Sequence, residues 1–217
     1  MLDENKVCDR DKFIEAMNNT DFTKEFEFVR AMANVEKRYM RLEGFLFPDT
    51  YEFYLGEDPV SVIKKFLNNF KNKWNSDYGV KAQQLGLTVD QVVILASIVQ
   101  AESYVEDMPV VSSILHNRID AGMRLDCDST KRYISNNLSE LTDEQVAAYN
   151  SLYDTYVVNG LPVGAICNPG MEAIRSILNP VSTDYYYFIH DAQNVFRVAR
   201  NLNEQENNIA TYGVAQS

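Results

Sequence analysis

With 31 acidic side chains against 20 Lys and Arg, this 217-residue chain carries a formal charge of −11, which repels a nucleic-acid polyanion and an anionic lipid surface at most approaches. Hydrophobic content of 46% and charged content of 24% are ordinary for a globular protein with a sizeable core. The longest apolar run, Val92 to Val99, is too short to span a bilayer, and the amino-terminal MLDENKVCDRDKF lacks an apolar signal segment; taken alone, the chain reads as soluble and cytoplasmic.

The first forty residues read as helical. DRDKFIEAMNN places Phe13, Ile14 and Met17 on one face, and KEFEFVRAMANVEKRYM continues the pattern. LEGFLFPDTYEFYLGEDP, Leu42 to Pro59, is punctuated by Gly44, Pro48, Gly56 and Pro59, and its aromatics predict a packed loop with a short strand. DPVSVIKKFLNNFKNKW is an amphipathic helix with Val62, Phe66 and Phe70 spaced by four and Pro59 in its first turn. Ser76 to Leu87 reads as a connector. TVDQ, Thr88 to Gln91, is a capping-box signature opening a helix that ends near Ser103. Another helix runs from Met108 to Asp120, with Pro109 early and Gly122 just beyond. Past Met123 the chain is loop-rich, with helices predicted at TDEQVAAYNSLY and GMEAIRSILNP and a buried strand at DYYYFIHD. The fold class is α+β: mostly helical, with a few short strands and a loop-rich cleft. Residues 1–41 read as a helical lead-in to a domain expected over 42–217.

Cys8, Cys127 and Cys167 form no CxxC pair, and the only histidines are His116 and His190. A structural zinc site needs about four N/S ligands at short spacing, so no metal is expected, and no phosphate-cradling or metalloprotease motif predicts a cofactor. Carboxylates are the best-stocked chemical group. Among them Glu102 is singled out, because Val92, Leu95, Val99 and Glu102 step by three, four and three along one helical stripe. On that stripe, desolvation and the negative end of the helix dipole would raise its pKa, as a general acid requires. The alternative is that the helix simply ends and Glu102 swings into solvent.

LEGFLFPDTYEF, LASIVQAES, SSILHNRIDAGMRLDCDST, YDTYVVNGLPVGAICNPG and YYYFI together resemble, in order and spacing, the YceG-like family of endolytic murein transglycosylases. The resemblance covers roughly Leu42 to Phe196. It implies a bacterial enzyme that cuts nascent peptidoglycan strands between MurNAc and GlcNAc, leaving 1,6-anhydroMurNAc ends, with Glu102 as the catalytic residue. The family's paired glutamate falls on Gln100, which can only orient or bind. In the DCDST loop Asp128 and Thr130 match, while Asp126, Cys127 and Ser129 depart. Tyr153 and Tyr156 match the family's paired tyrosines, with Asp154 replacing Asn, and two family histidines fall on Asn194 and Asn203. The resemblance also implies a transmembrane anchor and a LysM-like module upstream, so that this chain is an extracytoplasmic portion of a membrane-anchored protein with cell-wall synthesis machinery as a partner.

The substrate-binding residues expected on this reading are Glu43, Gln100, Asn117, Arg124, Asp128, Thr130, Tyr156 and Asn168, the last in the GLPVGAICNPG loop that walls the cleft. Several have a structural alternative. Asp128 and Glu43 are candidate partner carboxylates or hydrogen-bond anchors. Asn117 presents its amide to an N-acetyl group, and Arg124 holds a stem-peptide carboxylate or pairs with a nearby acid. Tyr156 and Phe47 face sugars or pack in the core. Arg118 is a surface or ion-pair residue, Asp49 a turn cap, His116 a half-exposed helix residue and His190 a strand end. By resemblance Cys127 and Cys167 lie in two loops bordering the cleft, which allows a disulfide. Two rivals stay open: a glycan-binding scaffold without activity, and a lyase of small cyclic metabolites. The second lacks a phosphate cradle near a buried lysine.

Overall fold

A computed structural model describes residues 2–136 and 141–215. Among them are α1 (Arg10–Asn19), α2 (Glu27–Arg30), α3 (Pro59–Lys73), α4 (Ser76–Gln84), α5 (Val89–Glu102), α6 (Met108–Asp120), α7 (Asp128–Ser135), α8 (Asp143–Tyr153), α9 (Met171–Leu178) and α10 (Leu202–Tyr212). Strands β1 (Tyr187–His190) and β2 (Phe196–Ala199) form an antiparallel hairpin in which His190 faces Phe196 across the ladder. The α+β class therefore holds. No single described helix is long and apolar enough to cross a membrane.

Helix α5 is the axis of the molecule. Every residue from Val92 to Val99 is buried, so this helix has no wet face along its middle, and α4, α6, α7 and α9 pack around it. Its start follows the sequence: the Thr88 hydroxyl accepts from the Gln91 N–H, and the Gln91 side chain accepts from the Thr88 N–H. At its first turn Asp90 is buried against Arg38, with Nη2 to Oδ2 at 2.6 Å and side-chain exposures of 1% and 4%. The same Asp90 oxygen accepts the Ala33 N–H. The N-terminal region is thus tied to the central helix, and its Met17, Phe22, Phe26, Val29 and Met32 join the main apolar cluster.

Four local expectations give way. Between residues 20 and 41 the chain does not continue as one helix; it makes the short α2, a 3-10 turn at Val35–Lys37 and turns between. The spacing of Phe22, Phe26, Val29 and Met32 mimics a helical stripe, but these side chains reach the core from successive turns, and Asn34 (φ 51°) turns the backbone left-handed. No strand forms in 42–58. Its backbone is shaped by Gly44 (φ 94°), where a Cβ would lie 2.5 Å from Val93 Cγ1 and 2.6 Å from Ala165 Cβ, so only glycine fits. The expected connector at 76–87 contains α4, capped by the Asn75 side chain accepting from the Tyr78 N–H. The strand in DYYYFIHD is half-buried rather than buried, because one side of the hairpin faces the cleft. Helices α7 and α10 are not among the expected elements; both are built mostly of polar residues.

The Arg38–Asp90 pair makes a stability prediction. Removing one partner of a buried pair strands the other charge, a loss of about 3–5 kcal/mol. Urea unfolding of Asp90→Ala should show a loss of this size; a loss under about 1 kcal/mol would mean that Arg38 finds another acceptor.

Candidate active site

Glu102 is the last residue of α5. It is half-exposed, neither packed as the next member of the apolar stripe nor swung free. Its Oε1 accepts the backbone N–H of Ser129 at 2.9 Å. Ser129 lies in the first turn of α7, whose N-cap residue, Cys127, supplies no side-chain hydrogen bond. The carboxylate of one helix therefore does the capping of another. A helix N-terminus has unpaired N–H groups and a positive dipole end, both complementary to an anion.

This contact lies in a cleft of about 920 Å³. Its lining includes Gln100, Glu102, Tyr104, Asp126, Asp128 and Tyr156, with the β hairpin and α10 across from them. A smaller cavity of about 310 Å³ surrounds Asp90 at the opposite end of α5. The larger cleft is the better candidate on chemistry, because it gathers Glu102 with other polar and aromatic side chains. Among the described residues no group of three or more His, Cys, Asp and Glu side chains could hold a metal ion.

Of the residues singled out from sequence, Glu102, Gln100, Asp128 and Tyr156 line this cleft. The Tyr156 hydroxyl donates to Asp128 Oδ1 at 2.9 Å, and burial together with this carboxylate pushes the phenol up from its ordinary pKa. Gln100 Oε1 accepts the Gly170 N–H, tethering the loop before α9 to α5. The remaining residues bind the scaffold. Asn117 Nδ2 donates to the carbonyls of Thr183 and Tyr185. Thr130 is fully buried, donating to the Cys127 carbonyl and accepting the Thr155 N–H. Asn168 Oδ1 accepts the N–H groups of Gly44 and Leu46, while its Nδ2 donates to Glu43 at 2.7 Å. Arg124 is exposed and faces Asp126 at 3.6 Å. Phe47 packs in the core, and Asp49 accepts the Thr50 N–H.

The thiols do not pair. Cys8, Cys127 and Cys167 are free, with Cys127 donating to the Leu125 carbonyl and Cys167 to the Ser97 carbonyl, so the disulfide that the resemblance allowed does not form. Burial, then the charge of Glu102, pushes the Cys127 thiol well up, which removes it as a nucleophile.

Several cleft residues were given only structural readings from the sequence, or none. Arg118 is buried, its guanidinium donating to the carbonyls of Tyr186, Arg124 and Leu125 and stacking 5.0 Å from the Tyr187 ring centre. His190 lies 3.4 Å from Asp107, edge-on to Tyr104, and near Phe196. Arg132 and α10 also line the cleft. The only sequence signal for His190 was period two: it ends a strand one face of which had to meet something.

A search of family models matches the YceG-like family over residues 3–211. The chain belongs to that family. It is 28% identical over 164 residues to the endolytic murein transglycosylase of Bacillus subtilis (strain 168), covering 75% of this chain and 46% of that protein. It is also 28% identical over 179 residues to the endolytic murein transglycosylase of Streptococcus pneumoniae serotype 2 (strain D39 / NCTC 7466), covering 79% of this chain and 32% of that protein. The chain thus spans less than half the length of these relatives. The crystal structure of a YceG-like protein from Listeria monocytogenes superposes with a TM-score of 0.74 at 24% identity, over 92% of this chain and 67% of that one. It shows the shared fold.

In this YceG-like chain Glu43 is a strongly raised acid. Burial pushes its carboxyl up to about 7 from 4.5, against a hydrogen bond with Tyr133 that pulls it down. Below pH 4.5 the folded and unfolded chains both hold this proton, so its contribution to stability is fully present. As pH rises toward 7 the unfolded chain releases the proton first, so folding loses about 3 kcal/mol and then levels off. Glu43→Gln should remove that slope while keeping the Asn168 contact. Urea unfolding from pH 4 to 8 reads it as the difference between wild type and variant; parallel curves would contradict the burial of this carboxyl.

Proposed function

We propose that this chain is the glycan-cleaving part of an endolytic lytic transglycosylase acting on peptidoglycan, with Glu102 as its single acid/base. The observation that carries this reading is the placement of Glu102: a glutamate at the end of a rigid buried helix, in a large cleft, held by one backbone N–H. Family membership and the names of the B. subtilis and S. pneumoniae relatives support the substrate class.

The chemistry asks for one carboxyl group. Protonated Glu102 gives its proton to the glycosidic oxygen between MurNAc and GlcNAc as that bond breaks at C1 of MurNAc. The resulting carboxylate takes the proton of the C6 hydroxyl of the same sugar, whose oxygen closes on C1. No water is consumed, and the enzyme returns to its starting protonation. The Ser129 N–H donates to Oε1 of Glu102. It also fixes the direction of the carboxyl group. A hydrolase would need a second carboxylate as nucleophile or base; of the other cleft carboxylates, Asp128 is engaged by Tyr156 and Asp126 faces Arg118 and Arg124.

Other roles follow from placement. Gln100, Asp128 and Tyr156 face the strand directly. Glu43, Asn117, Thr130 and Asn168 act by holding the loops and helices that carry those residues, and Arg124 stands on the outer surface. On this reading the protein is membrane-anchored and works on the extracytoplasmic face, with cell-wall synthesis enzymes as neighbours.

Glu102→Gln tests the reading. The amide keeps the size of the side chain and an oxygen for the Ser129 N–H but cannot shuttle the proton. Purified variant and wild type are incubated with uncrosslinked glycan strands and the products separated by size. The variant should unfold at the same temperature within a few degrees and cut at least 1,000-fold more slowly, on the scale expected when acid–base catalysis is lost. A well-folded variant with full activity would remove Glu102 from the mechanism, and an inactive wild type that still binds strands would make this a glycan-binding module.

A further inference from the structure

The charged groups of the cleft are unevenly matched. Asp126 faces Arg118 and Arg124, each at 3.6 Å, and Asp128 takes the Tyr156 hydroxyl. The guanidinium of Arg118 is consumed by three backbone carbonyls. Arg132 is different. It is half-buried and lines the same cleft, one turn of α7 beyond Ser129 and Asp128. Residues four apart share a helix face, so Arg132 stands on the face of α7 that carries Asp128, and both line the cleft with Glu102. No described carboxylate lies within ion-pair distance of it, and no described carbonyl or side chain accepts from it.

A half-buried guanidinium without a counter-ion bears a desolvation cost that a ligand anion would offset. Its planar fork matches a carboxylate in two parallel hydrogen bonds. In a chain of charge −11, a cation left unmatched inside the working cleft marks where the substrate brings negative charge. On the proposed function, the strand offers such a group in the free carboxylates of its stem peptides. We propose that Arg132 is the substrate-recognition residue for a stem-peptide carboxylate, and that it sets a preference for peptide-bearing, unamidated glycan. The inference rests on the function proposed above and adds a specificity to it. It also moves the anion contact from Arg124, which is exposed and already faces Asp126, to α7.

The test compares two preparations of uncrosslinked glycan with identical strand lengths: one with free peptide carboxylates, one with those carboxylates converted to amides. Wild type should show a kcat/KM about tenfold higher on the free-acid strands. In Arg132→Ala the ratio should fall to about one, carried mostly by KM, and Arg132→Lys should lie between, since it keeps the charge and loses the fork. The same ratios are measured as affinities in a Glu102→Gln background, where no turnover occurs. Equal treatment of the two strands by wild type, or a preference that survives in Arg132→Ala, would overturn the proposal. If wild type cleaves neither strand, the proposed reaction fails and the affinity ratios alone decide: an Arg132-dependent preference supports the carboxylate contact, and its absence overturns it.

Discussion

A helix buried on every side must satisfy its polar groups at its ends or through its neighbours, and α5 imposes that constraint on the rest of the molecule. Its first turn carries Asp90, matched by Arg38 and the Ala33 N–H. Its middle carries Ser97, whose hydroxyl donates to Ile94 and accepts the Ile166 N–H. One turn later Gln100 accepts from Gly170, and at the last residue Glu102 accepts from Ser129. Four polar side chains on one apolar rod thus fix the N-terminal region, both ends of the GAICNPG loop and the start of α7. Because the rod is packed on all sides, the position of Glu102 is inherited from the core rather than from a loop.

The loops around the cleft are stitched by side chains that reach backbone groups. Asn168 brackets two N–H groups of the LEGFLFP turn, Asn117 takes two carbonyls before β1, and Arg118 takes three. Irregular backbone has no ladder of its own, so its buried donors and acceptors must find such partners. The residue types that do this, amides and arginine, are the same types that would bind a sugar. A sequence shows the type and not the direction in which it points.

That ambiguity explains what was legible. The capping box at Thr88–Gln91, the Pro59 start of α3 and the limits of α6 were readable because each is set by local chemistry. Glu102 stands out because an acid at the end of an apolar run is locally costly, and the structure seats it in the large cleft. Phe22 to Met32 misled, since tertiary burial reproduced a helical spacing without one continuous helix. Helix α7 was missed because its N-terminus is capped from another element, by Glu102, and no local motif records that. The free thiols of Cys127 and Cys167 show the same limit: bordering one cleft does not bring two side chains together.

In the proposed mechanism Glu102 works alone, with the substrate's own C6 hydroxyl as nucleophile. The most direct measurement is digestion of uncrosslinked glycan in water enriched in heavy oxygen, followed by mass spectrometry of the new strand ends. The account predicts ends lighter than a reducing MurNAc end by one water, with no heavy oxygen taken up. Reducing ends carrying the heavy isotope would show that water attacks C1, and a second catalytic group would then have to be found in the cleft.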